Sequence, residues 1–451
     1  MIRRRFARVA AATLLALTSA GAAVQPAQAA EAVTFGVPTA SSSFGKSIAF
    51  EQPVVLADTP RRVELLLRTP GAFGPSVVDV ETPAARGNQT LRFQLDLADG
   101  HIFPNTTFTA FWRVTAADGS VSRGPDVSET YADDRVSWKT LEGDIVRLHW
   151  YDGDQAFAQR ALRIADAAVA DTAELLGVTE TEPIDFFVYG DQGQFLEALG
   201  PGAREWSGAQ AHPEIRTMFA NIGPQDDQWG EVAIFHELVH LVFATATDNK
   251  LHGPPHWLNE GLAVYLSEGY TASYRADVER AAADGTLIPL DGISGAFPTD
   301  RTMAGLAYGE SVSAVDFMVR AHAREDLIAL IRSYATGVSD DEAFQAALGV
   351  DVAGFEAEWL ADLGAKPPVR HGPQPAPPGP VPEGWSGAAP NPSVAPGSGS
   401  APTPGANQPG PGASGAESAT VPILAAIVLA VVISVGLVLL VVARRRSAAG
   451  P

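Results

Sequence analysis

The stretch His236-Glu237-Leu238-Val239-His240 decides how this chain of 451 residues is interpreted. The residues around it, 231–244, are good helix formers without Gly or Pro, a pattern that predicts a buried helix. Side chains four residues apart lie on one face of a helix, so the two imidazoles can share one Zn²⁺. Glu237 then lies beside the open coordination position, where a carboxylate can take a proton from water. The stretch therefore predicts a zinc-dependent hydrolase.

The alternative interpretation is a buried helix that carries two hydrogen-bonded histidines. The chain has only 9 His, and a chance HExxH is expected on the order of 0.01 times in a chain of this length. Two His and a Glu are also costly to bury without partners or a metal. Both considerations favour the metal site.

The third ligand determines the class of the metal site. A metzincin has Gly and His three and six residues after the second His, and this chain has Phe243 and Ala246 there. A second amphipathic helix is predicted to begin at His256, and it carries Glu260 twenty residues beyond His240. Glu260 would complete an open site of two His and one Glu. His256 is the rival ligand, because it lies four residues from Glu260 on the same predicted helix.

Together with the HExxH motif, Trp257-Leu258-Asn259-Glu260-Gly261 resembles the gluzincin metallopeptidases, the thermolysin-like superfamily with a distal glutamate ligand, and in particular its peptidase MA-like domains. The similarity covers about residues 136–366. It implies an α+β metallopeptidase domain that acts on a peptide or protein substrate. It further implies that His236, His240 and Glu260 hold Zn²⁺, that Glu237 is the catalytic base, and that Glu260 is preferred to His256.

The resemblance also implies a side chain that stabilises the oxyanion of the tetrahedral intermediate. Tyr308, placed ahead of a helical run predicted from Val312 to Arg320, is the candidate. The alternative is that Tyr308 only packs at a helix start, and His322 is a second candidate.

A strand is predicted over residues 214–222, and the resemblance implies that it is the edge strand that pairs with the substrate backbone. His212 and His252 lie in loop-like segments and are predicted to be surface residues.

The two ends of the chain read as targeting and anchoring segments. Residues 1–30 combine a basic start, an apolar stretch and the small-residue site Ala27-Gln28-Ala29, which predicts a signal peptide. Residues 421–443 are long and apolar enough to span a bilayer, and three arginines follow, so we predict one transmembrane helix with a cytoplasmic tail over 444–451. The Pro-, Gly-, Ser- and Ala-rich residues 367–420 predict a disordered stalk. The bulk of the protein is thus expected outside the cell membrane.

Residues 31–135 differ in their hydrophobic pattern from the segment that follows. Short alternating runs such as Arg62–Arg68 and Phe108–Thr115 predict an immunoglobulin- or fibronectin-like β-sandwich, which could bind a cell-surface ligand. Residues 136–366 are predicted to begin with a strand over residues 144–150, the long helix Gln155–Leu176 and the strand Ile184–Tyr189, and to become helical toward their end.

Composition fits an exported protein and limits its partners. There are no cysteines, so the folded part depends on its core rather than on disulfides, and the net charge of −21 argues against nucleic acid as a partner. The sequence therefore favours a membrane-anchored extracellular zinc metallopeptidase. The alternatives are a surface-displayed binding or adhesion protein that uses the peptidase fold as a scaffold, and a hydrolase of a non-peptide cell-wall amide.

Overall fold

The computed structural model describes residues 32–97, 101–201, 203 and 208–370. The predicted signal peptide, the transmembrane helix and the cytoplasmic tail lie outside these residues, as does the predicted stalk apart from residues 367–370. Among the described residues, no helix combines the length and apolar character that a membrane span requires.

The N-terminal part is built from antiparallel strands in two sheets. One sheet has β3 at its centre, paired with β1, β2 and β6, and the other has the order β5-β4-β7-β8, with β9 also paired to β7. The strands are β1 Val33–Phe35, β2 Thr39–Ser43, β3 Ser47–Leu56, β4 Arg62–Arg68, β5 Ser76–Val80, β6 Gly87–Asp96, β7 Thr106–Thr115, β8 Val121–Arg123 and β9 Val127–Tyr131.

The two sheets of this module share one apolar core. Side chains alternate across each strand, so β3 buries Ile48 and Phe50 while β7 buries Trp112, and all three belong to the same core. The predicted β-rich N-terminal module is confirmed. Its more specific assignment to the immunoglobulin or fibronectin type stays a prediction.

The following domain has a five-stranded mixed sheet with helices. The sheet order is β10-β11-β12-β14-β13, in which β10 and β13 run antiparallel to their neighbours. Its strands are β10 Lys139–Glu142, β11 Val146–Trp150, β12 Ile184–Tyr189, β13 Ala209–His212 and β14 Thr217–Asn221. Its helices are α1 Gln155–Leu176, α2 Gln192–Leu199, α3 Asp227–Ala246, α4 His256–Ser267, α5 Ala272–Asp284, α6 Arg301–Ala321, α7 Arg324–Ser333, α8 Asp340–Leu348 and α9 Val352–Asp362.

Helix α1 shows why some boundaries are readable from sequence. The Asp154 side chain accepts a hydrogen bond from the Phe157 N–H, and Gly177 ends the helix in the left-handed conformation. Both signals lie next to the apolar pattern that predicts the helix, and the predicted range Gln155–Leu176 is confirmed.

The prediction of the edge strand is wrong in one respect. Part of the predicted segment does form β14, but β14 lies between β12 and β13. Among the described strands, the outermost at this side of the sheet is β13, whose four residues are small or polar. His212 is therefore not a loop residue at the surface, because it ends β13 and is 1% exposed.

Contacts with the N-terminal module explain the burial of His212. The ring of Phe103, from the loop between β6 and β7, lies 3.8 Å from the His212 ring. Asn105 of the same loop donates hydrogen bonds to Asp185 and to Thr217. The module therefore packs directly on the β12–β14 and β13 ends of the sheet.

Candidate metal centre

The HExxH motif lies in the second half of α3, and Glu260 lies near the start of α4. The two helices pack against each other, and α4 also packs closely on α6. A Cβ added at Gly261 would lie 2.5 Å from the Ser311 carbonyl oxygen, so the glycine after Glu260 permits the backbones of α4 and α6 to approach. The sequence Asn259-Glu260-Gly261 thus places a ligand and a close helix crossing side by side.

Three predicted ligands converge at this crossing. The Nε2 atoms of His236 and His240 are 3.2 Å apart. Oε2 of Glu260 lies 3.3 Å from Nε2 of His236 and 3.6 Å from Nε2 of His240. Within the described part of the chain, this is the one group of three or more His, Cys, Asp or Glu side chains whose ligand atoms all lie within 4.8 Å of one another.

The donor set fits Zn²⁺. Tetrahedral zinc with N and O ligands at about 2.0–2.1 Å holds those ligands roughly 3.3–3.4 Å apart, close to the separations found here. Among the described residues, no hydrogen-bond donor reaches the buried Oε2 of Glu260, an arrangement that is costly unless a cation faces it. Burial lowers the pKa of both imidazoles, to about 4 for His236, so both rings are neutral ligands at pH 7.

Asn259 orients one of the ligands. Its Oδ1 lies 2.9 Å from Nδ1 of His240, so this ring nitrogen donates its proton to the amide oxygen and Nε2 keeps a lone pair for a metal. The sequence interpretation quoted Asn259 as part of the motif and gave it no role. The feature of the sequence that could have indicated this role is the position of Asn259 next to Glu260.

His256 is not part of the ligand set. Its Nε2 lies 3.5 Å from Oε1 of Glu260, the oxygen that faces away from the two ligand imidazoles. The choice of Glu260 over His256 as the third ligand therefore agrees with the geometry, and His256 flanks the ligand from outside.

Glu237 faces the edge strand. Its carboxylate is 1% exposed and accepts a hydrogen bond from the backbone N–H of Ala211 in β13. Burial, and then the nearby Glu260 carboxylate, raise the pKa of Glu237 well above its usual range. Its Oε1 is buried and has no hydrogen-bond partner among the described residues. A proton-accepting group thus lies between the ligand set and the edge of the sheet.

Tyr308 of α6 lies near His236. Its ring centroid is 6.4 Å from that of His236, and the residue is 5% exposed. The prediction that Tyr308 precedes a helix is wrong, because α6 begins at Arg301. His322 caps the far end of α6, 14 residues or about 20 Å along the axis from Tyr308, and pairs with Glu358. Of the two candidates for the oxyanion, only Tyr308 lies beside the ligands.

Comparisons with known proteins agree with this geometry. Residues 164–365 match the family model of the Peptidase MA superfamily. No sequence among the curated proteins matches the chain. Among solved structures, an aminopeptidase N family protein from Idiomarina loihiensis is 10% identical, with 70% of this chain and 74% of that chain covered and a TM-score of 0.38.

Two further solved structures are similar over different lengths. An M1 zinc metallopeptidase from Deinococcus radiodurans is 14% identical over 74% of this chain and 93% of that chain, with a TM-score of 0.32. For OgpA from Akkermansia muciniphila, the values are 12% identity, 22% of this chain, 28% of that chain and a TM-score of 0.18. Because these TM-scores are low, the assignment rests on the family match and on the site. Residues 164–365 form a gluzincin-type, peptidase-like domain of the Peptidase MA superfamily.

Proposed function

We propose that this protein is a membrane-anchored, extracellular zinc metallopeptidase that hydrolyses peptide bonds. The observation that carries the proposal is the convergence of His236, His240 and Glu260 beside a buried Glu237. A domain that served only as a scaffold would have no need to bury these four polar side chains together, since each is costly to desolvate.

The proposed chemistry divides between the metal and the chain. Zn²⁺ would supply Lewis acidity, which polarises the scissile carbonyl and lowers the pKa of water. Glu237 takes a proton from the attacking water and passes it to the leaving amine, because its carboxylate is the base nearest the ligand set. Tyr308, whose ring centroid lies 6.4 Å from that of His236, donates its hydroxyl proton as a hydrogen bond to the developing oxyanion.

The edge strand β13 gives the substrate a place to bind. An edge strand can pair with an extended peptide through main-chain hydrogen bonds whatever the side chains. Ala211 of this strand donates its N–H to Glu237, so a peptide that lies along β13 would pass beside the proposed base. We therefore assign the pairing with the substrate backbone, which the sequence analysis expected of residues 214–222, to residues 209–212.

The location in the cell is a proposal that rests on sequence. The basic and apolar start with its small-residue cleavage site supports export. The apolar segment 421–443 with its following arginines supports a single C-terminal anchor. Protease protection of a tag placed after residue 451 in intact cells, with a tag before the stalk accessible, would test this orientation.

The test of the function uses the full-length protein against a diverse peptide pool, with zinc content measured in parallel. We expect cleavage that is lost on chelation, restored by Zn²⁺ and absent in Glu237→Gln, which still binds the metal. Glu231→Gln is the matched control, because Glu231 lies on the same helix and is exposed. Bound zinc without cleavage of any peptide would contradict peptidase activity and favour a non-peptide amide. Absence of both would favour a binding protein.

A further inference from the structure

His256 is a largely buried histidine that contacts a zinc ligand, and the proposed chemistry gives it no part. It is the first residue of α4, one helical turn before Glu260, so the two side chains lie on the same face of that helix. Its side chain is 14% exposed. A polar ring at such a position requires partners for its nitrogen atoms, and the position of Glu260 identifies one of them.

The two oxygen atoms of the Glu260 carboxylate face different groups. Oε2 lies 3.3 Å from Nε2 of His236 and 3.6 Å from Nε2 of His240, so it belongs to the ligand set. Oε1 lies 3.5 Å from Nε2 of His256. One oxygen is therefore available to the metal, while the other faces an imidazole that is not in the ligand set.

This geometry favours a proton on Nε2 of His256. An unprotonated Nε2 would turn its lone pair toward the carboxylate, and two acceptors that face each other repel. With the proton on Nε2, the ring N–H is directed at Oε1. The separation of 3.5 Å makes this a long hydrogen bond. Its attraction is strengthened because both groups are largely removed from water and little solvent screens them.

The His256 residue is itself held in place at two points. Its backbone N–H donates a 2.7 Å hydrogen bond to the Ser294 carbonyl, which ties the start of α4 to the loop before α6. Phe297 of that loop packs against the imidazole, with 4.6 Å between the ring centroids. Phe297 is 3% exposed, so this contact keeps water from that side of the imidazole. The ring therefore has little freedom to turn away from Glu260.

A carboxylate ligand needs such a contact because its last torsion is soft. Rotation about the bond to the carboxylate carbon has only a broad, two-fold preference, so either oxygen or both can turn toward a metal. A donor that holds one oxygen removes this freedom and leaves the other oxygen for the metal. Asn259 restrains the ligand His240 in a comparable way, through Nδ1 of that ring.

We propose that His256 is a positioning residue of the metal centre, whose Nε2–H holds Oε1 of Glu260 so that Glu260 binds Zn²⁺ through Oε2 alone. The proposal rests on the zinc site of the proposed function. Removing the N–H takes this donor away from a buried carboxylate and leaves the ligand free to rotate, so the affinity for zinc falls.

The test measures the Kd for Zn²⁺ of the full-length protein and its variants by chelator competition. His256→Phe keeps an aromatic ring against Phe297 and loses the N–H, whereas His256→Gln loses the ring and keeps an N–H donor of similar reach. We expect the Kd to rise about tenfold or more in His256→Phe and to stay within about threefold of the wild type in His256→Gln. His252→Phe is the matched control, because its imidazole pairs at 3.0 Å with Asp340 of α8 rather than with a ligand.

Visible absorption of the Co²⁺-loaded protein gives a second readout, which a loss of packing alone would not change. The intensity of the Co²⁺ bands depends on coordination number and geometry. The spectrum should change in His256→Phe, because Glu260 can then turn both oxygens to the metal, and should stay that of the wild type in His256→Gln and His252→Phe. Where circular dichroism shows that His256→Phe does not fold, His256→Met replaces it, since Met has the length of Gln without the donor.

The outcomes separate the possible roles of His256. A Kd that rises equally in His256→Phe and His256→Gln would overturn the proposal in favour of a direct ligand. A rise in His256→Gln alone would show that the ring acts through packing, and no rise in either variant, or an unchanged Co²⁺ spectrum in His256→Phe, would also overturn it. A wild type that binds zinc and cleaves no peptide would overturn the peptidase proposal and leave the role of His256 standing. A wild type that binds no zinc would overturn both.

Discussion

Two buried carboxylates of the same domain have opposite surroundings. Asp185, at the contact between the two modules, receives hydrogen bonds from Arg147, His149 and Asn105 at 2.7–2.9 Å. Burial opposes its ionisation, but these bonds outweigh burial and hold its pKa at about 2. Glu260 is equally inaccessible, yet burial raises its pKa and, among the described residues, its Oε2 has no donor.

The difference separates a carboxylate that the protein pairs from carboxylates that the proposed function would use. Asp185 is paired by the protein itself, so its charge contributes to joining the modules. Glu260 and Glu237 keep oxygen atoms that the described part of the protein does not satisfy, which is stable only if a metal or a substrate satisfies them. Four substitutions test this comparison, and they follow in order of expected effect.

The largest effect is expected at Glu237, the proposed base, whose Oε1 has no hydrogen-bond partner among the described residues. Glu237→Gln keeps the size of the side chain and removes its ability to accept a proton, so kcat/KM should fall by about 10³-fold, within the range of general base catalysis. Zinc content, measured by metal analysis, should stay that of the wild type. A variant with most of its activity left would refute the role of Glu237.

The next effect concerns Glu310, another buried carboxylate. Burial raises its pKa to about 8, opposed by the Ile288 N–H. The folded state therefore holds a proton that the unfolded state releases above 4.5, so stability falls as pH rises toward 8 and then levels off. Glu310→Gln removes this loss of stability. The free energy of unfolding of the variant, relative to that of the wild type, should therefore increase by on the order of 3 kcal/mol from pH 5 to 8.

Urea unfolding of the full-length protein at pH 5, 6.5 and 8 measures this effect. Glu174→Gln, on an exposed position of α1, should show no such change with pH. If the difference in free energy of unfolding between Glu310→Gln and the wild type were the same at all three pH values, Glu310 would ionise normally.

The paired carboxylate should respond in the opposite direction. Asp185→Asn removes charge-assisted hydrogen bonds from Arg147 and His149, and should lower the free energy of unfolding by about 2 kcal/mol at pH 7. Because the folded pKa is depressed, the contribution is present above the unfolded value of about 3.9 and is lost as pH falls through about 2. The difference in free energy of unfolding between Asp185→Asn and the wild type should therefore become smaller as the pH falls. Asp171→Asn, at an exposed position of α1, serves as the control.

The smallest effect is expected at Asn259, which contacts the proposed ligand His240 and not the metal itself. Asn259→Ala removes the acceptor for the His240 Nδ1–H, and zinc affinity measured by chelator competition should fall about tenfold. Asn259→Asp keeps an oxygen at that position and should retain most of the affinity. Equal losses in both variants would show that Asn259 acts through packing alone.

Prediction from sequence succeeded where the signal is local. The helix over Gln155–Leu176 and the strands Ile184–Tyr189 and Arg62–Arg68 have the predicted bounds, because periodicity and flanking caps or turns lie within each segment. The ligand pair His236 and His240 is local in the same sense, since its geometry follows from one turn of helix.

Prediction from sequence failed where contacts between distant segments determine the secondary structure. The sequence predicts that Tyr308 lies ahead of a helix, but Tyr308 and the following Gly309 both lie inside α6. A Cβ added there would lie 3.2 Å from Val278, so this glycine serves the packing of α5 on α6. Likewise, the four residues of β13 carry little strand signal, and pairing with β14 makes them the edge.

The sequence by itself determined the chemical identity of the site: a helix with HExxH, a glutamate twenty residues later, and no cysteine. These follow from residue type and spacing, which are properties of short segments. The tertiary structure alone decided that β13 is the outermost described strand of the sheet and lies beside Glu237, and that Asn259 orients His240. Each of these depends on which segments meet in space, and that is set by burial of the whole core rather than by any local pattern.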